Sequence, residues 1–190
     1  KLAEKLSRIS NKPVIAHISG HKHSIDSLEQ EIASSISAGV NNLLIVSGNL
    51  SDDPASYVES TDALRSCKVK WPNILCGAGI NPFKYSVNSS FSQYLKMVQK
   101  INAGAGFITT QAGLDMRKYD EVLRYCTHRE ITTPLIARLD LISHDRLSDI
   151  TELQLETGVH LSREIASLIL REAEEAEDQS SFMSQQLRRL

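Results

Sequence analysis

Cysteine, charge of one sign and long apolar runs are all scarce in this sequence, and each scarcity closes off a class of protein. The three cysteines, Cys67, Cys76 and Cys126, are odd in number and form no CxxC pair. A disulfide framework and a zinc ribbon are therefore excluded, and the pattern fits a reducing cytoplasm. The formal net charge is only -2. Lys and Arg are scattered rather than gathered, so a surface that tracks nucleic-acid phosphates is not expected. No apolar run approaches the roughly 20 residues needed to cross a bilayer. Lys1 to Arg8 reads as an amphipathic helix without a signal-peptide core. With no initiator methionine, the sequence reads as a fragment or a processed product.

What is present is a composition close to the globular average, 41% hydrophobic and 23% charged over 190 residues. That length bounds the chain to one or two domains and suffices for a core without staples. The most informative regularity is a repeat of apolar runs: PVIAHI from Pro13, LLIVSG from Leu43, NILCGAG from Asn73, GFITTQ from Gly106 and PLIARL from Pro134. Each run is short, rich in β-branched residues and apolar on both faces, as in strands buried within a parallel sheet.

Helix signals lie between the runs. Ser24 stands at a cap position before Ile25, Leu28, Ile32 and Ile36, and Gly39 follows where a left-handed residue is wanted. Asp53-Pro54 reads as an N-cap followed by proline at the first helical position. A third helix is expected from about Ser90, with Phe91, Leu95 and Val98 inward, stopping at Ala103-Gly104. A fourth starts at Asp115 and buries Tyr119, Val122, Leu123 and Cys126. Arg146 to Leu153 suggests a short fifth. Ser162 to about Glu177 reads as one helix, apolar at Ile165, Leu168 and Ile169, followed by a polar tail. The acidic run REAEEAED within it reads as a solvated face.

Strands alternating with helices specify an α/β fold with parallel strands. Right-handed crossovers place every strand C-terminus on one rim. Both an open doubly wound sheet and a TIM-barrel-like (β/α) repeat satisfy this pattern. Five βα units are too few to close an eight-stranded barrel, so an incomplete barrel is the form the second takes here. Residues 1–157 make the core segment, and 158–190 a C-terminal helix and tail of the same domain.

In either architecture the ligand lies at the strand C-termini. Those ends read His17 to His21, Ser47-Gly48-Asn49, Gly77-Ala78-Gly79 through Asn81-Pro82, Thr109-Thr110-Gln111, and Arg138 with Asp140. Amides, hydroxyls and glycines suit a large planar ligand better than acid-base hydrolysis. Gly48, Gly77 and Gly79 either let backbone approach a ligand or only form tight turns. None belongs to a GxGxxG, so a Rossmann dinucleotide site is unsupported. His17, His21 and His23, with Asp140, raise a metal-hydrolase alternative, but too few ligands converge for a metal site to be assigned. Cys76 reads as a small buried hydrophobe, and Trp71-Pro72 as a plug at the bottom of the barrel.

The segments AHISGHKHS, AGVNNLLIVSGNL, CGAGINPFKYS and, most specifically, KINAGAGFITTQAGLD resemble the methylenetetrahydrofolate reductase family from about Pro13 to Leu139. Weaker similarity continues through GVHLSREIASLI. The resemblance implies a (β/α)8 barrel that binds FAD at its rim and passes hydride from NAD(P)H to methylenetetrahydrofolate. Carried over by position, His17, Ser47, Gly48, Asn49, Asn81 and Lys100 fall at cofactor-binding positions. Gln111 matches a folate contact, and Asn49 and Gln111 are the candidates nearest the chemistry. Lys100, Asn102-Ala103-Gly104 and Gln111 are expected at one mouth of the barrel. A folate-type substrate is implied, with no nucleic acid or membrane partner, and with assembly as a homo-oligomer or within a larger complex.

The sequence also departs from the family. Ser47-Gly48-Asn49 stands where the family has Arg-Gly-Asp, which loses one charge of each sign. No residue matches the family's catalytic acid on the first barrel strand. A non-catalytic flavin- or folate-binding accessory protein is therefore the alternative to the oxidoreductase.

Overall fold

A computed structural model describes residues 5–6, 9, 11–48, 57–84, 90–143 and 162–189. Five strands form one sheet in the order β1-β2-β3-β4-β5: β1 (Ile15–Ser19), β2 (Asn42–Val46), β3 (Leu75–Ile80), β4 (Phe107–Thr110) and β5 (Leu135–Ile136). The helices between and after them are α1 (Ile25–Ser37), α2 (Ser60–Lys70), α3 (Ser90–Ala103), α4 (Met116–His128), α5 (Arg163–Glu175) and α6 (Gln179–Arg189). The fold is α/β, a parallel sheet with alternating helices, as in an incomplete TIM-barrel-like structure. All five apolar runs contain a strand. Backbone contacts cluster into two compact units. One comprises Lys1–Ile80, Leu95–Thr109 and Thr133–Leu135, the other Asn81–Tyr94, Thr110–Thr132 and Ile136–Leu190.

In the first unit, α1 starts where the Ser24 side chain accepts from the Ser27 N–H, and it closes at Gly39 with φ +84°. Leu28 and Ile32 are fully buried, as are Leu43 and Ile45 of β2 and Leu64 of α2. Each such side chain contributes about 1.5–3 kcal/mol on leaving water. Ile25, expected on the same face of α1, is 40% exposed. At the first turn a side chain can clear the sheet edge.

Helix α2 begins at Ser60. Tyr57 is held in an antiparallel bridge with His21, and the Val58 N–H donates to Gly20 O at 3.0 Å. Backbone groups spent in that way cannot start a helix. Asp53-Pro54 itself, like the helix expected over Arg146 to Leu153, lies outside the described residues. Between α1 and α2, Glu29 accepts from Lys70 and, second, from Ser66, which holds its carboxyl below the usual carboxylate range.

The second unit has its own core: Leu114, Ile142, Ile169 and Phe182, with Ile165 and Ala166 packed against them. Helix α5 begins where expected, and Ser162 caps it by accepting from the Ile165 N–H. The tail was misread. It forms α6, which buries Phe182 completely and also buries Gln186. The Gln186 side chain accepts from the Ile142 N–H at 2.8 Å and donates to the Ile142 carbonyl at 2.7 Å. One amide thus satisfies both polar groups of a backbone that continues no strand.

Two helix faces also differ from expectation. In α3, Phe91 is 53% and Leu95 44% exposed, while the buried positions are Ser90, Gln93, Tyr94, Met97 and Ala103. In α4, Tyr119 and Val122 are buried as expected but Leu123 is exposed.

Truncating Phe182 to Ala should cost about 3–5 kcal/mol through the cavity it leaves. Gln186→Ala should cost about 1–3 kcal/mol for each Ile142 group left unpaired. Urea titration checks both. An unchanged midpoint in Gln186→Ala would show that its amide is not bonded to Ile142 in solution.

Candidate functional site

Residues paired across parallel strands share a face, so the register of the first unit lays out rows. On the face away from α1 and α2 these rows are Ile15–Asn42–Leu75, then His17–Leu44–Gly77, then Ser19–Val46 nearest the strand C-termini. Gly79 and Thr109 extend the last row. A Cβ placed on Gly79 would lie 3.7 Å from Val46 Cγ1 and 4.0 Å from Thr109 Oγ1. Cys76 and Ala78 occupy the opposite, helix-covered face.

The last row is a shelf of low side chains. It offers a hydroxyl, a branched alkyl group, bare backbone and a second hydroxyl, with no charge of its own. Ser19, Val46 and Gly79 are half-buried and Thr109 is buried. Under it, the Phe107 ring lies where a Cβ on Gly77 would stand, with ring atoms 2.2 Å from that point. Gly77 therefore serves internal packing rather than a ligand. A flat ring can be laid on such a surface and oriented by its few polar groups.

Two further features border the shelf. Lys100, near the end of α3, donates from Nζ to Gly79 O at 2.7 Å. Burial holds its ammonium below the ordinary lysine pKa, with the Lys96 charge adding and Glu59 opposing. His21 donates its backbone N–H to Ser19 Oγ at 3.2 Å, while its Nδ1 is buried without a hydrogen-bond partner. An orphaned ring nitrogen beside a half-open surface can serve a ligand.

Of the residues picked from sequence, His17 sits in the middle row opposite Leu44 and is exposed. Gly48 has φ +77°, and a Cβ there would fall 2.5 Å from Ser19 Oγ and 2.8 Å from His21 Cβ. Its close approach is to its own chain, the tight-turn alternative. Ser47 Oγ accepts from the Ser60 N–H at 2.9 Å and donates to Glu59 Oε2 at 3.0 Å, so it caps α2. Asn49 lies outside the described residues. His23 is engaged by Ser27 at 3.1 Å and Glu31 at 3.2 Å. No group of three or more His, Cys, Asp or Glu among the described residues could hold a metal ion.

Asn81 and Gln111 belong to the second unit, Lys100 to the first. Asn81 Oδ1 accepts from the Phe83 N–H at 3.1 Å, and its own N–H donates to Gln93 Oε1 at 3.3 Å. Gln111 follows β4 directly and is half-buried. Nearby, the Phe83 ring meets Tyr119 edge-on at 5.2 Å, and the Tyr119 hydroxyl reaches the carbonyls of Gly113 and Arg138. Burial pushes that hydroxyl's pKa up. The Arg138 N–H donates to Thr110 Oγ1 at 3.0 Å, so the end of β4 is tied to the segment after β5.

The expectation for Asn102-Ala103-Gly104 is corrected. Gly104, with φ +120°, ends α3 just before β4 begins, whereas Gln111 comes after β4 ends. The turn therefore sits at the opposite strand end. Ser19 and Thr109 were within the rim as read from sequence but were not singled out, and His21 was weighed only as a metal ligand. Period-two alternation counted back from each strand end is the signal that finds the first two.

Gly48→Ala should cost about 1–3 kcal/mol, because it combines positive φ with two clashes. Gly79→Ala should be neutral or stabilise by about 0.4–1 kcal/mol. Thermal unfolding of the pair tests this; equal loss in both would refute the shelf geometry.

No helix among the described residues is long and apolar enough to cross a membrane. No curated protein matches the chain by sequence. A solved structure with the same fold is that of an uncharacterized protein from Clostridium thermocellum, described as binding two copies of 5-methyl-5,6,7,8-tetrahydrofolic acid. It is 16% identical, with a TM-score of 0.65 over 97% of this chain and 63% of the other. This chain thus spans under two thirds of that protein. The match to the methylenetetrahydrofolate reductase family runs over residues 1–181, nearly the whole sequence, and the chain belongs to that family.

Proposed function

We propose that the chain binds a reduced folate at the C-terminal ends of its strands and carries part of the FAD site of a methylenetetrahydrofolate reductase. The reading rests on the shelf Ser19–Val46–Gly79–Thr109, an uncharged, low surface with a buried ammonium and an orphaned imidazole nitrogen at its border. Family membership supports it, and so does the tetrahydrofolate described in the structural neighbour.

The residues present fit such a group. FAD, when bound, would carry hydride between NAD(P)H and methylenetetrahydrofolate. Lys100 would offset phosphate charge, since Gly79 O takes one of its three N–H donors. His17 and the His21 Nδ1 would meet the polar edges of a planar ligand. Ser47 and Gly48 would shape the turn behind it, and Asn49 and Asn81 would contribute amides. Gln111 would pair with a pterin edge, because one amide both donates and accepts.

A second reading is a binding protein without turnover. Ser47 favours it: the position that bears a guanidinium in the family carries a hydroxyl here, and that hydroxyl is committed to capping α2.

Purified protein titrated separately with FAD and with 5-methyltetrahydrofolate tests the proposal. Lys100→Ala should weaken FAD retention roughly tenfold, the 1.4 kcal/mol of one charge-assisted contact, with folate affinity less affected. Gln111→Ala should show the reverse. Bleaching of bound flavin by NAD(P)H selects the enzyme over the binding protein. Equal affinities for both ligands across wild type and the two variants would remove the proposal.

A further inference from the structure

A short loop, Gly20 to His23, runs from β1 to α1 and carries the orphaned His21 ring. Lys22 within it has φ +61°, a left-handed conformation that any residue with a Cβ disfavours. Such a residue persists only where its surroundings over-determine it. On one side the loop is held through His21, which donates its N–H to Ser19 Oγ at 3.2 Å and bridges to Tyr57. On the other side the backbone bond is long, His23 N–H to Gly20 O at 3.4 Å.

The His23 ring supplies the stronger hold. Its two nitrogens face two oxygens of α1: Nδ1 lies 3.1 Å from Ser27 Oγ, and Nε2 lies 3.2 Å from Glu31 Oε2. Proton accounting fixes the charge on the ring. Ser27 has one hydroxyl hydrogen, which goes to the Ser24 carbonyl at 3.0 Å. Towards His23 the Ser27 oxygen can therefore only accept, and so can the Glu31 carboxylate. Both ring nitrogens must donate, which makes the ring an imidazolium. A neutral ring would set a bare nitrogen against one of the two oxygens.

We propose that His23 is a proton-operated positioning residue for the ligand shelf. Its imidazolium clamps the loop to α1, keeps Lys22 in its strained conformation and so holds the His21 ring beside Ser19. Loss of one ring proton breaks a bond, lets Lys22 relax and moves His21 away. The inference rests on the reading of that shelf as a reduced-folate site. The His23 side chain is 29% exposed, so water can take and return the proton. The titratable groups around it are His21 and Lys22 of the loop, Asp26 and Glu31 of α1, and Tyr57 and Glu59 of the segment bridged to the loop. Glu31 contacts the ring, and Glu59 is engaged by Ser47. The N-terminus of α1 opposes a positive ring, but with about half a unit charge against the full charge of Glu31 in contact. Histidine changes charge between about pH 5 and 8, so the clamp holds at the acid end and opens as pH rises.

The full chain is titrated with 5-methyltetrahydrofolate near pH 6 and near pH 8. Wild type should bind roughly tenfold more tightly at the lower pH, the effect of one charge-assisted hydrogen bond. His23→Gln, which keeps His21, should lose that difference, and the surface variant Glu31→Gln should lose most of it. Lys22→Gly on the His23→Gln background removes the strain and should restore tight binding at both pH values. Without ligand, ring-nitrogen NMR shifts near pH 6 should show His23 doubly protonated. The His21 and Lys22 amide signals should then move together with its titration. The clamp is overturned if wild type and His23→Gln share one pH dependence, or if those amide signals ignore the His23 proton. Should folate bind at neither pH, the functional reading falls, and the ligand-free signals still decide the clamp.

Discussion

The Phe107 ring occupies the space that a side chain at Gly77 would need, and the rest of the candidate site depends on that substitution of ring for Cβ. It fills the middle row of the sheet face with apolar volume at a position where the neighbouring strand contributes none. Filled in this way, the layer beneath the last row is dry and level. Ser19, Val46, Gly79 and Thr109 then present as a surface rather than a hole. Any β-carbon at position 77 would push the ring aside, and the row above would lose its floor.

Chemistry is divided between the two ends of the strands in the first unit. The C-terminal end carries hydroxyls, bare backbone and the partly buried Lys100 ammonium, groups able to hold and orient a ligand. The N-terminal end carries a cavity with Cys67 and Cys76 in its lining. In parallel α/β folds the first is where ligands bind, and the second is ordinarily structural. Membership of the methylenetetrahydrofolate reductase family agrees with the use of the first end.

The strands were legible because a buried parallel strand must be apolar on both faces, and the runs around Leu43 and Ile108 show this most clearly. Caps at Ser24, Asp115 and Ser162 were legible because they depend on one side chain and the next turn. The inward face of α3 was not. Apolar residues surround that helix at Phe91, Tyr94, Leu95, Met97 and Val98, so periodicity gives the repeat but not its phase. Gln186 was missed because its partner Ile142 is 44 positions away. At the site, a glycine that permits a ligand and one that permits a ring or a turn look alike in sequence. A Cβ on Gly48 or Gly77 would meet the chain itself, and of the three rim glycines Gly79 has room above it.

A crystal structure of the chain soaked with 5-methyltetrahydrofolate tests the central claim most directly. The pterin is expected to lie flat over Gly79 and Thr109. Pterin density only at the N-terminal ends of the strands, or a last row unchanged and bare at saturating ligand, would contradict it.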